Sequence, residues 1–221
     1  CAYHDANVKI VCVGGGFVYG SLGMSHHATE DLAILRALPQ VTVFTPGDPA
    51  EVEAVVPVMV HTPGTCYLRL GRGGEPTLHT APIENYRLGQ GLTLRTGTDI
   101  ALLSAGGILT QTVSAAEKLA ERGISAEVVS FPTLKPIDRE LVLQAARETG
   151  CIVTSEEANV IGGLGSAVTE VVAECCPVPV VRHGVNDEFG RSGKAQAVLD
   201  AYHLNAQGIE EKVRYALTLK K

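Results

Sequence analysis

No stretch of this sequence gathers lysine and arginine into a patch: 18 basic residues stand against 24 acidic ones, for a net charge of −6. A chain without a basic footprint cannot track a phosphate backbone, so no nucleic-acid partner is expected. A few arginines can still meet a small anion locally. No run of about 18 apolar residues occurs, so no membrane-spanning helix is expected either. No secretory signal is expected. The six cysteines, at 1, 12, 66, 151, 175 and 176, form no Cys-x-x-Cys pair. Three of them fall in apolar, strand-like runs, which reads as reduced, buried thiols and a cytoplasmic location. Neighbouring residues such as Cys175 and Cys176 rarely reach disulfide geometry, so no redox pair is expected there. The first residue is cysteine rather than methionine, so a fragment or a processed product is expected. No internal repeat or low-complexity segment is apparent.

What is present is an ordinary globular mix, with 45% hydrophobic and 19% charged residues over 221 positions. That length suits one large domain or two small ones with a real core. Strand and helix signals alternate. "VKIVCV" (8–13) reads as a buried strand. "ATEDLAILRALP" reads as a helix capped by Thr29, with Leu32, Leu35 and Leu38 on one face and Pro39 as the stop. "VTVF" (41–44) is a second strand. In "GDPAEVEAVVPVMV" Asp48 caps, Pro49 takes the first helical position, and Glu51 sits three residues after the cap. "CYLRL" (66–70) is a third strand. Residues 71–98, rich in Gly and Thr, read as a linker that enters a short hairpin.

A second α/β unit follows. Strands are expected at 99–105, 125–131, 151–157 and 179–185. Helices are expected at 109–122, after Asp138 as far as Gly150, and at 163–175, with two short helices beyond Gly193. Such alternation predicts an α/β fold of two three-layer α/β/α units with mostly parallel sheets. Ligand chemistry in such sheets lies beyond the carboxyl ends of the strands, which singles out the loop at 14–28.

That loop contains "YGSLGMSHHATED" (19–31). Its glycine string fails the G-x-G-x-x-G dinucleotide pattern, since position 19 is Tyr. His26 and His27 do not make a zinc site, because adjacent residues point apart and no nearby cysteine or carboxylate completes a ligand set. They precede a helix amino terminus, which disfavours imidazolium and favours a neutral, hydrogen-bonding ring. A loop histidine with only local bonds is the plainer alternative for either. In "LRLGRGG", Arg69 ends a strand and Arg72 lies in the glycine turn beyond. An arginine there can grip a phosphate or carboxylate bidentately, and a solvated turn arginine is as good a reading. In "EEANVIGGLGSAVTE", Gly162, Gly163 and Gly165 open a helix that could hold an anion; close helix–strand or subunit packing explains the glycines equally well and is the preferred reading.

Together these stretches resemble the transketolase family, its C-terminal half in particular. "GSLGMSHHATEDLAILRALPQVTVFTPGDPAE" is similar to a family pattern of Gly-Glu-Asp-Gly-x-Thr/Ser-His-Gln, an acidic helix, Leu-Arg, and Pro-x-Asp-x-x-Glu. "CYLRLGR", "TDIALLSAGG", "LKPID", "EE…GGLGSAV" and "DEFGRSG" resemble successive family markers, in order over nearly the whole chain.

The resemblance implies thiamine diphosphate and Mg²⁺, and transfer of a two-carbon ketol unit between sugar phosphates. It implies that residues 1–75 are the late part of a pyrimidine-binding domain, so that the first unit is incomplete. Residues 76–98 would then be the linker and hairpin, and 99–221 the C-terminal domain. The implied partners are a diphosphate-binding domain or subunit, in a homodimer or heterotetramer, and a small phosphorylated substrate.

By the same resemblance His26 hydrogen-bonds substrate oxygens near the reacting carbons and Arg72 grips the substrate phosphate. Ser25, His27 and Arg69 join them as substrate-binding candidates. Three positions depart from the sugar transketolases: Leu22 replaces an aspartate that reads a hydroxyl, His27 replaces a glutamine, and Gly14 falls where another phosphate-contacting histidine stands. The family's cofactor-activating glutamate lies upstream of residue 1, and the diphosphate and Mg²⁺ site belongs to another domain. This chain alone is therefore expected to be inactive, and none of its residues is assigned to the cofactor or to a metal. Alternatives are a deoxyxylulose-phosphate synthase, the β-subunit of a 2-oxo acid dehydrogenase, or a non-catalytic oligomerisation or regulatory fragment.

Overall fold

The computed structural model describes residues 1–220. The first unit contains β1 (Lys9–Val13), α1 (Asp31–Ala37), β2 (Val41–Phe44), α2 (Pro49–His61) and β3 (Thr65–Leu70). The second contains β4 (Leu92–Arg95), β5 (Ile100–Ala105), α3 (Leu109–Ala120), β6 (Ala126–Ser130), β7 (Thr133–Lys135), α4 (Arg139–Thr149), β8 (Ile152–Asn159), α5 (Leu164–Cys175), β9 (Val180–Val185), α6 (Ala195–Ala201) and α7 (Ala206–Leu219). One sheet has the order β1-β3-β2-β7 and the other β4-β6-β5-β8-β9. Within each, the consecutive crossovers are parallel, and only β7 and β4 run antiparallel. Both sheets are thus the mostly parallel, helix-flanked layers expected. No helix among the described residues is long and apolar enough to cross a membrane.

The strongest local signals are realised atom by atom. Asp48 Oδ1 accepts from Glu51 N at 2.8 Å, with Pro49 opening α2. Asp138 Oδ1 accepts from Leu141 N at 3.1 Å, and Gly150 closes α4 in the left-handed conformation at φ 70°. Those side chains satisfy donors that the first helical turn leaves unpaired.

Several expectations fail, for physical reasons. The run at 8–13 is a strand, but an edge strand: Val11 is 51% and Val13 55% exposed. An apolar run buries its residues only where a neighbouring layer covers them. Cys12 on that strand is accordingly exposed, as are Cys1 and Cys175, and only Cys66 and Cys151 are buried; all six are free thiols. Thr29 does not cap α1; it is buried with its hydroxyl unpartnered, and Glu30 takes the cap position without a side-chain bond. Leu38 falls beyond the helix end and is exposed, leaving Leu32 as the buried residue of that face. No hairpin follows the linker, because β4 pairs antiparallel with β6, over thirty residues later in the chain. The last helix, α7, spans 14 residues and is not short.

The strand hidden in "TLK" ties the units together. β7 comes from the second unit yet pairs with β2 of the first, Val43 against Lys135 and Phe44 against Thr133. Thr45 N donates to Pro132 O at 2.8 Å and Gly106 N to Thr45 O at 3.0 Å. One hydrophobic core runs across this seam, joining Val43 and Tyr67 to Leu103, Val129 and Leu164.

Candidate functional site

The loop after β1 is built by close backbone passage. Gly14 N and Gly15 N donate to Leu70 O at 2.9 and 3.0 Å. Gly16 and Ala28 exchange both backbone bonds, at 2.9 and 3.0 Å, closing the loop on itself. Between these ends lie two single 3-10 turns, Gly20–Leu22 and Met24–His26.

The two histidines separate here. Ser25 and His26 are exposed, with Ser25 Oγ 3.0 Å from His26 Nδ1, so the serine fixes one ring nitrogen and leaves the other to solvent or ligand. His27 is buried at 8% exposure, edge-on to Phe17 with ring centroids 4.9 Å apart. Neither of its ring nitrogens has a hydrogen-bond partner. Leu22 is 54% exposed on the same loop.

The two arginines also separate. Arg72 is exposed, its guanidinium 5.8 Å from the Tyr19 ring centroid, a cation–π contact that turns it toward the loop. Its backbone N–H and that of Gly73 donate to Glu75 Oε1 at 2.9 and 3.2 Å, which shapes the turn. A cavity of about 440 Å³ opens beside it, lined by Val13, Gly47, Leu70, Arg72 and Glu75 among others. Arg69 is instead 6% exposed and engaged inside. Its Nη2 donates to Glu157 O at 2.6 Å and its Nη1 lies 3.4 Å from Asp31 Oδ1.

Two acidic features do more in the structure than their sequence motifs indicate. Asp48, Glu51 and His79 are the group of possible metal-binding side chains among the described residues. However, Asp48 Oδ2 already receives Leu78 N at 2.7 Å, His79 N at 3.1 Å and His79 Nδ1 at 3.0 Å, donors aimed where a cation would sit. The group is a helix cap extended to grip the linker, and a capping signal in sequence does not reveal such a tether. Burial pushes the Glu51 carboxyl up to about 7, although Gly47 N donates to it at 2.6 Å. Glu156 is the second feature. Fully buried, it accepts from Leu164 N at 2.7 Å and Gly165 N at 2.9 Å, and burial lifts it too to about 7. It occupies the glycine-rich start of α5, so the packing explanation of those glycines holds: a side chain on Gly163 would overlap the Glu156 carboxylate.

Residues 1–75 match the family model of the transketolase pyrimidine binding domain, and residues 89–209 that of the transketolase C-terminal domain. The chain belongs to the transketolase family. It is 40% identical over 94% of its length to a 6-deoxy-6-sulfo-D-fructose transketolase subunit from Clostridium sp. and spans 64% of that protein. It is 38% identical, again over 94% of its length, to one of the apulose-4-phosphate transketolase subunits of Phocaeicola vulgatus and spans 66% of it. It thus covers a little under two thirds of these relatives. A split-gene transketolase solved as an inactive beta4 tetramer superposes with a TM-score of 0.92, at 44% identity, over all of this chain and 70% of that one. Transketolase from Pichia stipitis, in complex with sedoheptulose 7-phosphate, shares the fold at a TM-score of 0.79 and 23% identity, over 98% of this chain and 31% of that one.

Proposed function

We propose that this transketolase-family chain supplies the pyrimidine-side and C-terminal parts of a thiamine-diphosphate enzyme that moves a two-carbon ketol unit between phosphorylated sugars, completed by a diphosphate-binding partner. The observation that carries this is the pair of family matches in order along the chain, with relatives named as transketolase subunits.

The residues present fit only part of a cofactor site. Apolar Val13 and Leu70 beside the glycine turn suit one wall against an aromatic ring. The carboxylates there, Asp48, Glu53 and Glu75, repel a diphosphate, and Asp48 is already saturated by N–H donors. The diphosphate and Mg²⁺ are therefore assigned to the partner, and thiamine diphosphate would supply the carbanion chemistry when bound.

What this chain's own residues do follows from their placement. His26, its Nδ1 held by Ser25, offers Nε2 to a substrate oxygen. Arg72 offers two parallel N–H groups to a phosphate. Arg69 acts from inside by fixing Glu157 and Asp31 rather than by touching substrate, and His27 packs the loop from behind. The test compares Arg72→Ala with the parent in the reconstituted enzyme, using phosphorylated and unphosphorylated ketoses. A KM raised only for the phosphorylated donor supports the assignment; an equal rise for both contradicts it.

A second reading has its own support. The chain is 36% identical over 99% of its length to a 1-deoxy-D-xylulose-5-phosphate synthase of Geobacter sulfurreducens, of which it spans 35%. A synthase would condense and release CO₂ from a 2-oxo acid, so product analysis with pyruvate separates the two.

A further inference from the structure

We propose that Glu157 is a positioning residue through which the second unit holds the substrate loop of the first. This rests on the reading above that His26 faces substrate. Between its ends the loop carries mainly short-range bonds, such as His26 N to Gly23 O at 2.9 Å and Leu22 N to Tyr19 O at 2.9 Å, with one long-range bond, Gly193 N to Gly20 O at 3.0 Å. That one bond leaves the Ser25–His26 turn unheld, so its order depends on the flanks.

Both flanks are gripped by the second unit. Glu157, near the end of β8, accepts from Phe17 N at 2.5 Å through Oε1, across 140 residues of sequence. Its own carbonyl receives Arg69 Nη2, so one residue joins the loop's start to β3. Two residues further on, Asn159 N donates to Thr29 O at 2.7 Å, tying the loop's far end to β8 as well. The Phe17 ring is fully buried in a small core with Ile108, Val185, Val198 and Leu204, and it stacks on Tyr202 at 5.0 Å. His27 closes over its edge.

This arrangement also explains the glycine string, which no ligand pattern accounts for. The backbone passes between two charged side chains. A Cβ at Gly15 would overlap Arg69, and one at Gly16, where φ is +62°, would overlap the Glu157 carboxyl group. Glycine is required at both points because the clamp leaves no room for more. Pinned at Phe17 and His27, the intervening turns have little slack, and Ser25–His26 is presented in one place. Small displacements of such a group from its reacting geometry are costly to rate.

The experiment uses the full chain in complex with its diphosphate-binding partner, thiamine diphosphate and Mg²⁺, and reads amide exchange alongside transfer kinetics. In Glu157→Ala, exchange across 17–27 is expected to accelerate about tenfold, the worth of one good hydrogen bond, while both sheets keep their protection. kcat falls by a similar factor with cofactor affinity unchanged. Glu157→Gln keeps an acceptor for Phe17 N and restores both readouts to within about threefold of the parent. If the alanine variant does not fold, Glu157→Asp, which keeps the charge but withdraws the acceptor, replaces it. Unchanged loop exchange, exchange raised equally throughout both sheets, unaltered kcat in a loosened loop, or a glutamine variant as impaired as alanine would each overturn the proposal. If the parent complex transfers no ketol unit, the functional reading fails, while the exchange arm still decides whether Glu157 anchors the loop.

Discussion

β1 and β5 are both short, apolar, parallel strands, and they meet opposite fates. All six residues of β5 are buried, whereas four of five in β1 are exposed. β5 lies between β6 and β8 with helices packed across it, while β1 sits at the edge of its sheet beyond β3. Composition selected the conformation in both cases; position in the sheet decided the burial. The same contrast recurs in miniature between His26 and His27, and between Arg69 and Arg72. In each pair neighbouring residues of one type are divided between the interior and the surface.

The largest effect that sharpens the comparison is on stability. Leu102→Ala in β5, where the side chain is fully buried, should cost about 2–5 kcal/mol by chemical denaturation of the 221-residue chain. Next comes the functional split between the histidines. His26→Ala in the reconstituted enzyme should lower kcat/KM by roughly 100-fold with cofactor binding unchanged, as expected for one lost hydrogen bond to developing charge. His27→Phe should lower it far less, since that ring packs rather than donates. Arg72→Ala should raise KM for a phosphorylated donor by roughly 10–100-fold, the range of a charge-assisted hydrogen bond.

A smaller effect concerns pH. Glu156 has its carboxyl raised from 4.5 to about 7, so the folded state binds the proton more tightly than the unfolded chain does. Its contribution to stability is full below the unfolded value and is lost as pH rises from 4.5 to about 7. Glu156→Gln should flatten that part of the profile in a denaturation series; an unchanged slope there would contradict the assignment. The smallest effect is expected at the edge. Val11→Ala should move the stability of the same chain by less than about 0.5 kcal/mol, and a loss matching Leu102→Ala would erase the contrast between the strands.

Much of the fold was legible because its signals are local. Asp48 and Asp138 as caps, Gly150 as a stop, and the alternation of β-branched runs with amphipathic helices each act within a few residues. What escaped is non-local. Nothing in "TLK" announces that it will add to the sheet of the other unit, and nothing in "VKIVCV" tells an edge from a centre. Thr29 looked like a cap by residue type, yet its backbone carbonyl is taken by Asn159 N. The candidate site was legible as a family motif, and its internal division was not. The separation of His26 from His27 and of Arg72 from Arg69 depends on Phe17, Glu157 and Asp31, which reach those side chains only in the folded chain.

The most direct test is a titration of this chain, in its full-length protein, into a fixed amount of its diphosphate-binding partner with thiamine diphosphate and Mg²⁺, following ketol transfer from a phosphorylated ketose to an aldose. The account predicts negligible transfer by either protein alone and a rate that rises with added chain to saturation at equal stoichiometry. Transfer by the partner alone that is indifferent to this chain would contradict it.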